Sequence, residues 1–397
     1  MKTQIVIWKN LILFIPLFLL LNCSCEKEFS SQWIYGSPEN INDGIEVSTL
    51  EEVHLDANLI AQAIGRIKNG KYGEVHSMLI YKDEKLVLEE YFPGHRYKWD
   101  APNHHGEWIF WDKSTLHGVK SASKSITSLC IGIAIEHGFI ESAHQSIFDF
   151  LPDHQHLKKD GKGNISIEHL LTMTSGLEWD EWSAPLSSGD NDCVGIWYQE
   201  KDPVTFILER SLINEPGSSF TYSGGNMIVL GEIIRNASNL DIEEFSQEYL
   251  FKPLAIDSSF WAIRFNNGVI EAGGSLEITP RDMIKIGATC LANGEWNGKQ
   301  MISTQWIEKI ATEFQDNQGI NIPGVASGKQ GYSYSWWTKD YNHNGDNYNM
   351  FDAGGWGGQN IMVIPDLKTV VVFTGGNYTS TAKPHEILDR FIIPAIQ

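Results

Sequence analysis

Residues 118–128 read GVKSASKSITS, and this stretch decides how the rest of the chain is interpreted. Apolar residues recur at helical spacing from Ser121 to His137, where Gly138 ends the pattern. Positions i and i+3 share a helix face, so Ser121 and Lys124 can meet. A serine becomes a nucleophile when a neighbouring base takes its proton. Burial lowers the pKa of a lysine, so that a buried lysine can act as this base. Ser121 and Lys124 are therefore candidate catalytic residues, although a capping serine beside a solvated lysine gives the same letters.

The composition is that of a globular protein with an acidic surface. Of 397 residues, 20% are charged and 42% hydrophobic, which excludes a fibrous or disordered chain. Asp and Glu number 50 against 30 Lys and Arg, a formal net charge of −20. Such a surface repels phosphate backbones, so nucleic acid is not expected as a partner. Oligomeric state is left open.

The first residues have the pattern of an export signal. Residues 1–22 carry two lysines and an apolar run that is too short to span a membrane. Cys23 follows, and the pattern looks like a bacterial lipoprotein signal with lipid attachment at Cys23 or, alternatively, Cys25. Cleavage there would take the net charge from −20 to −22. We expect residues 23–45 to be a tether and the protein to be lipid-anchored to the cell envelope, at the outer membrane or cell surface; a plain secretory signal would make it periplasmic.

Strand patterns occur near both ends of the chain. Two β-rich runs, His76–Tyr81 and Leu86–Tyr91, flank a polar turn and predict a hairpin. Three more runs with short connections predict an antiparallel meander: Met350–Ala353, Asn360–Ile364 and Thr369–Thr374. Helical patterns lie between them and after them, over Ile167–Met173, Asn226–Asn236, Arg281–Ala292 and Ala382–Ile393.

This arrangement predicts one α+β domain over residues 46–397. The sheet part would comprise 46–118 and 275–397, so a single antiparallel sheet takes strands from both chain ends. The helical part would be 119–274. Two sequential domains would separate the terminal strands into different sheets, and we favour the composite domain.

Two further segments strengthen the interpretation of Ser121. Residues 167–177 read IEHLLTMTSGL, and residues 216–226 read PGSSFTYSGGN. With Ser-x-x-Lys at 121–124, they resemble the serine β-lactamase-like family, which includes class C β-lactamases, D-alanyl-D-alanine carboxypeptidases and related esterases and amidases. The resemblance implies the β-lactamase/transpeptidase-like fold and assigns Tyr222 the role of general base and acid beside Lys124.

The family's third motif falls on residues 353–359, AGGWGGQ. The resemblance implies that the backbone N–H groups of Ser121 and Trp356 form the oxyanion hole. It also implies that Ala353, Gly354 and Gly355 are the strand against which a substrate lies. A glycine-rich hairpin corner would have the same composition, and the two interpretations are compatible.

Two departures from the family pattern bear on the substrate. Gly224 stands where β-lactamases carry Asn, and Ala353 stands where they carry Lys or relatives carry His. The pattern is more similar to 6-aminohexanoate oligomer hydrolases and carboxylesterases, as is the segment ending at Glu181. We therefore expect a serine hydrolase that cleaves a small or short oligomeric amide or ester through an acyl-serine. The alternatives are a D-amino-acid peptidase or β-lactamase acting on cell-wall-like substrates, and a non-catalytic binding lipoprotein.

No cofactor and no metal site is expected. Residues 340–346 begin like an EF-hand loop, but Phe351 would occupy the position of the bidentate glutamate, so a polar hairpin turn is favoured. His104 and His105 show no carboxylate or cysteine at ligand spacing and are interpreted as loop histidines. Cys130, Cys193 and Cys290 lie far apart, so a disulfide framework is not expected.

Tryptophans lie close in sequence to all three motifs. Because aromatic side chains often line apolar substrate pockets, we expect several of them to surround Ser121. The ordinary alternative is that they are core. The candidates are Trp108, Trp111, Trp179, Trp182, Trp197, Trp336, Trp337 and Trp356.

Overall fold

The main sheet takes strands from both ends of the chain. The computed structural model describes residues 33–186 and 188–396; the signal predicted over 1–22 and the lipid-attachment predictions at Cys23 and Cys25 lie outside these ranges. In chain order the strands are β1 Val75–Lys82, β2 Lys85–Tyr91, β3 Pro93–Tyr97, β4 His105–Phe110, β5 His117–Gly118, β6 Ser259–Trp261, β7 Leu276–Ile278, β8 Glu295–Trp296, β9 Lys299–Gln300, β10 Ile320–Asn321, β11 Lys329–Ser333, β12 Trp336–His343, β13 Asp346–Gly355, β14 Gln359–Ile364 and β15 Thr369–Gly375.

Eight of these strands form one antiparallel sheet in the order β10-β11-β12-β13-β14-β15-β1-β2. The last strand, β15, pairs with the first, β1, from Gly375 opposite Val75 to Thr369 opposite Lys82. The predicted hairpin and meander are both present, and the α+β prediction is confirmed. Smaller sheets pair β3 with β4, β8 with β9, and the central strand β7 with both β5 and β6. The segment that begins like an EF-hand is the β12–β13 hairpin, with His343 opposite Asp346.

Helices fill the middle of the chain and close its end. They are α1 Ala57–Lys68, α2 Ala122–Glu136, α3 Ile167–Leu171, α4 Asp192–Gly195, α5 Pro203–Leu208, α6 Gly224–Ser238, α7 Ile242–Ser246, α8 Pro280–Leu291, α9 Thr304–Ala311, α10 Pro384–Ile387 and α11 Ile393–Ala395. A π-helical turn, Leu388–Ile392, joins the last two. No helix among the described residues is long and apolar enough to cross a membrane.

Helix α2 is the centre of the core. Residues Ala122 to Ala134 are buried on every side, which is the pattern of a helix enclosed by other elements. It packs against α6 and against β13 of the main sheet. Its polar side chains bond to the segment that leads into β7: Thr127 Oγ1 donates to the carbonyl of Ala272 at 2.7 Å. The first turn of α2 is thereby fixed between the sheet and the helical region.

The compact unit begins at Ile34, earlier than the predicted boundary at residue 46. Part of the segment predicted as a tether packs on the sheet, because Tyr35 donates its hydroxyl hydrogen to the carbonyl of Val87 at 2.8 Å. Asp43 forms an ion pair with the buried Arg281 at 2.9 Å. Polar, turn-rich composition suggested a tether there, but these side chains have specific partners in the domain.

Candidate active site

Ser121 lies at the first turn of α2, where its hydroxyl is not used to cap the helix. Lys120, immediately before it, has a φ of 53°, a left-handed conformation that a residue with a side chain adopts at some cost. The sharp turn delivers Ser121 to the start of the helix, and its Oγ lies 3.1 Å from Lys124 Nζ. The predicted i, i+3 meeting of the two side chains is therefore present.

Lys124 is a buried lysine. Only 3% of it is exposed. Besides its bond to Ser121, its ammonium donates to the carbonyl oxygen of Gly273 at 2.9 Å. A capping serine beside a solvated lysine, the ordinary interpretation of this sequence, does not fit either side chain.

Tyr222 is brought to this pair by Met173, in the HLLTMTSGL segment. The carbonyl of Met173 accepts the N–H of Thr221 at 2.7 Å, and its sulfur accepts the N–H of Ser223 at 3.3 Å. The residues on both sides of Tyr222 are thus anchored to one residue. Lys124 Nζ lies 4.9 Å from the centre of the Tyr222 ring. The structure therefore places Ser121, Lys124 and Tyr222 together.

Two tryptophans hold the Tyr222 ring. Trp182 stacks on it with ring centres 5.1 Å apart, and Trp337 stacks on it at 5.7 Å. Tyr332 adds an edge-on contact at 6.1 Å. These contacts leave the ring little freedom to rotate, so the phenol is fixed beside Lys124.

Glu181 fills the space that Gly224 leaves. Its Oε2 accepts the backbone N–H of Gly224 at 2.6 Å and the indole N–H of Trp179 at 2.7 Å. A Cβ added at Gly224 would lie 3.1 Å from that same oxygen. To admit an asparagine here, the Glu181 carboxylate would have to shift by a few tenths of an ångström, which is a physical reason for the departure from the β-lactamase pattern.

A second carboxylate, Glu271, also acts on the charge of Lys124. It is 6% exposed, and its Oε1 accepts the N–H of Gly273 at 2.9 Å. Burial raises its pKa, with Lys124 acting in the opposite direction. Lys124 is therefore surrounded by groups that can carry negative charge.

The surroundings of Lys124 favour its ammonium form. Burial acts to lower its pKa, but Tyr222, Glu181 and Glu271 outweigh burial and leave the pKa above its ordinary value. Burial raises the pKa of Tyr222, while Lys124 and hydrogen bonding to Ser121 oppose that rise. The Lys124 ammonium is thus positioned to stabilise the phenolate form of Tyr222.

The third motif lies beside the nucleophile through its backbone. A Cβ at Gly355 would be 2.2 Å from the carbonyl oxygen of Val119 and 3.1 Å from the amide nitrogen of Ala122, so only glycine fits there. Trp356 follows directly. Ala353 is fully buried, so only its main chain can face a substrate. Ala353, Gly354 and Gly355 pair with β14 on one side of β13. On the other side, the pairing of β13 with β12 ends at Asp352 and does not reach these three residues.

The tryptophans divide into two groups, and the expectation that they surround Ser121 holds for part of them. Trp182 and Trp337 stack on Tyr222, and Trp179 contacts the site through Glu181. The Trp356 ring contacts Tyr97, His104 and Tyr378. The others pack elsewhere. Trp108 and Trp111 contact His95 and His76, Trp197 contacts Phe265, and Trp336 is core against Phe351.

Sequence reasoning missed two sets of polar residues. Glu181 and Glu271 carry no motif, and only the fold brings them to Lys124. A cluster of Glu74, His95 and His105 also forms, although His105 was interpreted as a loop histidine without a carboxylate partner. The missing signal was the β3–β4 hairpin, which pairs Tyr97 with His105 and brings the two histidines together.

Comparison with known proteins agrees with the geometry. The model of the Beta-lactamase family matches residues 74–390. Acyltransferase mokF of Monascus pilosus is 28% identical over 149 residues, which are 34% of this chain and 35% of that protein. The match thus spans about a third of that relative's length.

Solved structures show the same fold at low sequence identity. A structure named for a 6-aminohexanoate-dimer hydrolase from Bacillus anthracis superposes with a TM-score of 0.65 at 21% identity, covering 83% of this chain and 80% of that one. A family VIII carboxylesterase superposes with a TM-score of 0.59 at 15% identity, covering 85% and 95%. Together with the family match over residues 74–390, the fold and motifs show that the chain belongs to the Beta-lactamase family.

Proposed function

We propose that the protein is a serine hydrolase that cleaves an amide or ester bond by two-step acyl transfer, with Ser121 as the nucleophile. One observation carries the proposal: a buried lysine ammonium lies 3.1 Å from a serine hydroxyl that caps no helix. Structural serines near a helix start normally bond to the backbone. The esterase, amidase and acyltransferase relatives support the same chemistry.

The first step forms the acyl-enzyme. Tyr222 acts in its phenolate form, which the Lys124 ammonium stabilises. Ser121 Oγ attacks the carbonyl carbon, and its proton passes to that phenolate oxygen. The oxyanion accepts hydrogen bonds from the backbone N–H groups of Ser121 and Trp356. Tyr222 returns the proton to the leaving amine or alcohol as the carbonyl re-forms. In the second step water attacks the acyl-serine with Tyr222 as base, releasing the acid and regenerating Ser121.

The charges around the site favour substrates without a carboxylate next to the scissile bond. Glu181 and Glu271 act on the same lysine, and Ala353 contributes no cation that could hold a carboxylate. A penicillin or a D-alanyl-D-alanine peptide carries such a carboxylate. We therefore propose neutral or amine-bearing substrates, such as simple esters and short amide oligomers with a free amino end.

The experiment compares hydrolysis of p-nitrophenyl esters, amino-terminated amide oligomers and nitrocefin. Ser121→Ala should abolish turnover with an unchanged circular dichroism spectrum. Ser128→Ala is the matched control on the same helix, because its Oγ is buried without a hydrogen-bond partner among the described residues and should be dispensable. Full activity in Ser121→Ala would overturn the assignment, and preferential hydrolysis of nitrocefin would overturn the substrate class.

We also propose that the protein is exported and lipid-anchored to the cell envelope at Cys23. The support is the signal pattern of residues 1–22 followed by cysteine. Expression in a bacterial host with labelled palmitate should label the wild type and not Cys23→Ala. Labelling that is lost only in Cys25→Ala would move the attachment site. An unlabelled wild type would contradict the anchor.

A further inference from the structure

The cluster of Glu74, His95 and His105 has the geometry of a metal site. His95 Nδ1 lies 3.0 Å from the Glu74 carboxylate, and His105 Nε2 lies 3.7 Å from it. All three ligand atoms lie within 4.8 Å of one another. A tetrahedral zinc ion with ligands at about 2.0–2.2 Å keeps ligand atoms roughly 3.3–3.5 Å apart, so the observed separations bracket that spacing.

Rigid elements supply these ligands. His95 on β3 and His105 on β4 belong to one hairpin, and their rings stack with centres 4.3 Å apart. Glu74 directly precedes β1, and its main chain bonds to Asn377 and Gly376 after β15. The ligands therefore come from two parts of the fold that an ion would fasten together.

Glycines make room for the carboxylate on two sides. A Cβ at Gly94 would lie 2.8 Å from Glu74 Oε1 and 2.4 Å from the His76 ring. A Cβ at Gly376 would lie 2.8 Å from the same oxygen. Substitution at either glycine would displace the carboxylate from the histidines.

An outer layer orients the carboxylate. His76 is fully buried and its Nε2 lies 2.9 Å from Glu74 Oε1, while its Nδ1 lies 2.8 Å from His117 Nε2. Outer hydrogen-bond partners of this kind are typical of metal ligands.

The ligands are also accessible. Glu74, His95 and His105 have side chains 16%, 30% and 24% exposed, so an ion could enter and keep a water molecule as a further ligand. His105 Nε2 lies 2.9 Å from the carbonyl oxygen of Gly376 and would release that contact on binding an ion.

We propose that Glu74, His95 and His105 bind one divalent transition-metal ion, with Zn²⁺ the best match to two imidazoles and a carboxylate. The ion would fasten the β3–β4 hairpin to Glu74 at the start of β1. From there His105 contacts Tyr378, which contacts Trp356 at the proposed oxyanion hole. The site is distinct from Ser121 and independent of the proposed hydrolase activity.

The test is calorimetric titration of chelator-treated protein with Zn²⁺. The wild type should bind one ion, and its melting temperature should rise with Zn²⁺ concentration. His95→Ala, His105→Ala and Glu74→Gln should each lose at least about tenfold in affinity and lose the thermal shift. Ser121→Ala should bind as the wild type does, which separates this proposal from the hydrolase assignment.

His144→Ala is the matched control, because His144 pairs with Glu168 at 3.3 Å on the surface as an ordinary histidine–carboxylate pair. It should leave affinity and thermal shift unchanged. His105→Gln, a milder change, covers the case in which an alanine variant misfolds. Absence of saturable binding in the wild type, or equal affinity in the wild type and both His105 variants, would overturn the site and leave an adventitious ion only.

Discussion

Helices α8 and α2 each carry a buried cationic side chain, and the groups that contact the two cations differ. Arg281 on α8 is 2% exposed and is paired with Asp43 at 2.9 Å and Glu89 at 2.7 Å. Lys124 on α2 is 3% exposed, but it donates to uncharged oxygens, those of Ser121 and Gly273. Its acidic neighbours, Glu181 among them, act on it through space.

The difference distinguishes a cation that stabilises the fold from a cation that takes part in catalysis. A cation saturated by carboxylates has its charge neutralised in the resting state, and its removal leaves buried carboxylates without a partner. A cation bonded to neutral oxygens remains able to stabilise negative charge that develops during the reaction. We therefore assign α8 to holding the N-terminal segment on the sheet and α2 to catalysis.

The largest effect should follow from Lys124→Met, which keeps the side-chain volume and removes the charge. Turnover of the best ester substrate should fall by at least about 10³-fold, because no ammonium remains to stabilise the Tyr222 phenolate. Stability should change by less than about 1 kcal/mol in urea unfolding, since no carboxylate loses a direct ion pair. A fully active Lys124→Met would contradict a catalytic role for the Lys124 ammonium.

Substitution of Arg281 on α8 by methionine should instead lower stability and leave turnover unchanged. Arg281→Met leaves Asp43 with only Lys285 at 3.7 Å and Glu89 with only the Tyr91 hydroxyl at 2.8 Å. The loss of the Arg281 charge should cost about 3 kcal/mol of unfolding free energy. Its kcat at a temperature where it remains folded should equal that of the wild type. Arg281→Lys is the control and should recover part of the stability. Unchanged stability in Arg281→Met would show that the network is not structural.

The contact between Glu181 and position 224 can be tested by a double-mutant cycle. Gly224→Asn should lower kcat/KM, because its Cβ would lie 3.1 Å from the Glu181 carboxylate. Adding Glu181→Ala should relieve the collision and give a coupling energy of about 1–2 kcal/mol in a double-mutant cycle. The exposed Glu178→Ala is the matched partner and should show no coupling with Gly224→Asn. Additive effects of Glu181→Ala and Gly224→Asn would contradict the contact.

The smallest effect is a pH-dependent one at Asp43. Burial acts to raise its pKa, but Arg281 outweighs burial and leaves the pKa below the ordinary value of 3.8. A lowered pKa in the folded state means that the stabilisation is present above pH 3.8 and is lost as pH falls through the lowered value. Asp43→Asn should therefore cost roughly 1–2 kcal/mol at pH 7, with the gap closing in acid. A gap that stays constant down to pH 3 would exclude the ion pair as its cause.

Local patterns predicted much of this structure. Ser-x-x-Lys predicted that Ser121 and Lys124 meet, and the terminal strand patterns predicted a shared sheet, because both depend on short-range periodicity. The position of Glu181 could not be predicted, since it depends on a turn between distant segments. His105 was missed because β3 begins Pro93-Gly94, a poor strand signal, and the hairpin alone brings the histidines together. The docking of Asp43 on Arg281 spans 238 positions, beyond any local pattern.

The most direct test of the central claim is to trap the acyl-enzyme. Wild-type protein is mixed with a p-nitrophenyl ester, quenched in acid, and analysed by intact and peptide mass spectrometry. We predict an acyl adduct on the peptide that contains Ser121, absent in Ser121→Ala and strongly reduced in Lys124→Met. Turnover without an adduct, or an adduct on another residue that persists in Ser121→Ala, would contradict it.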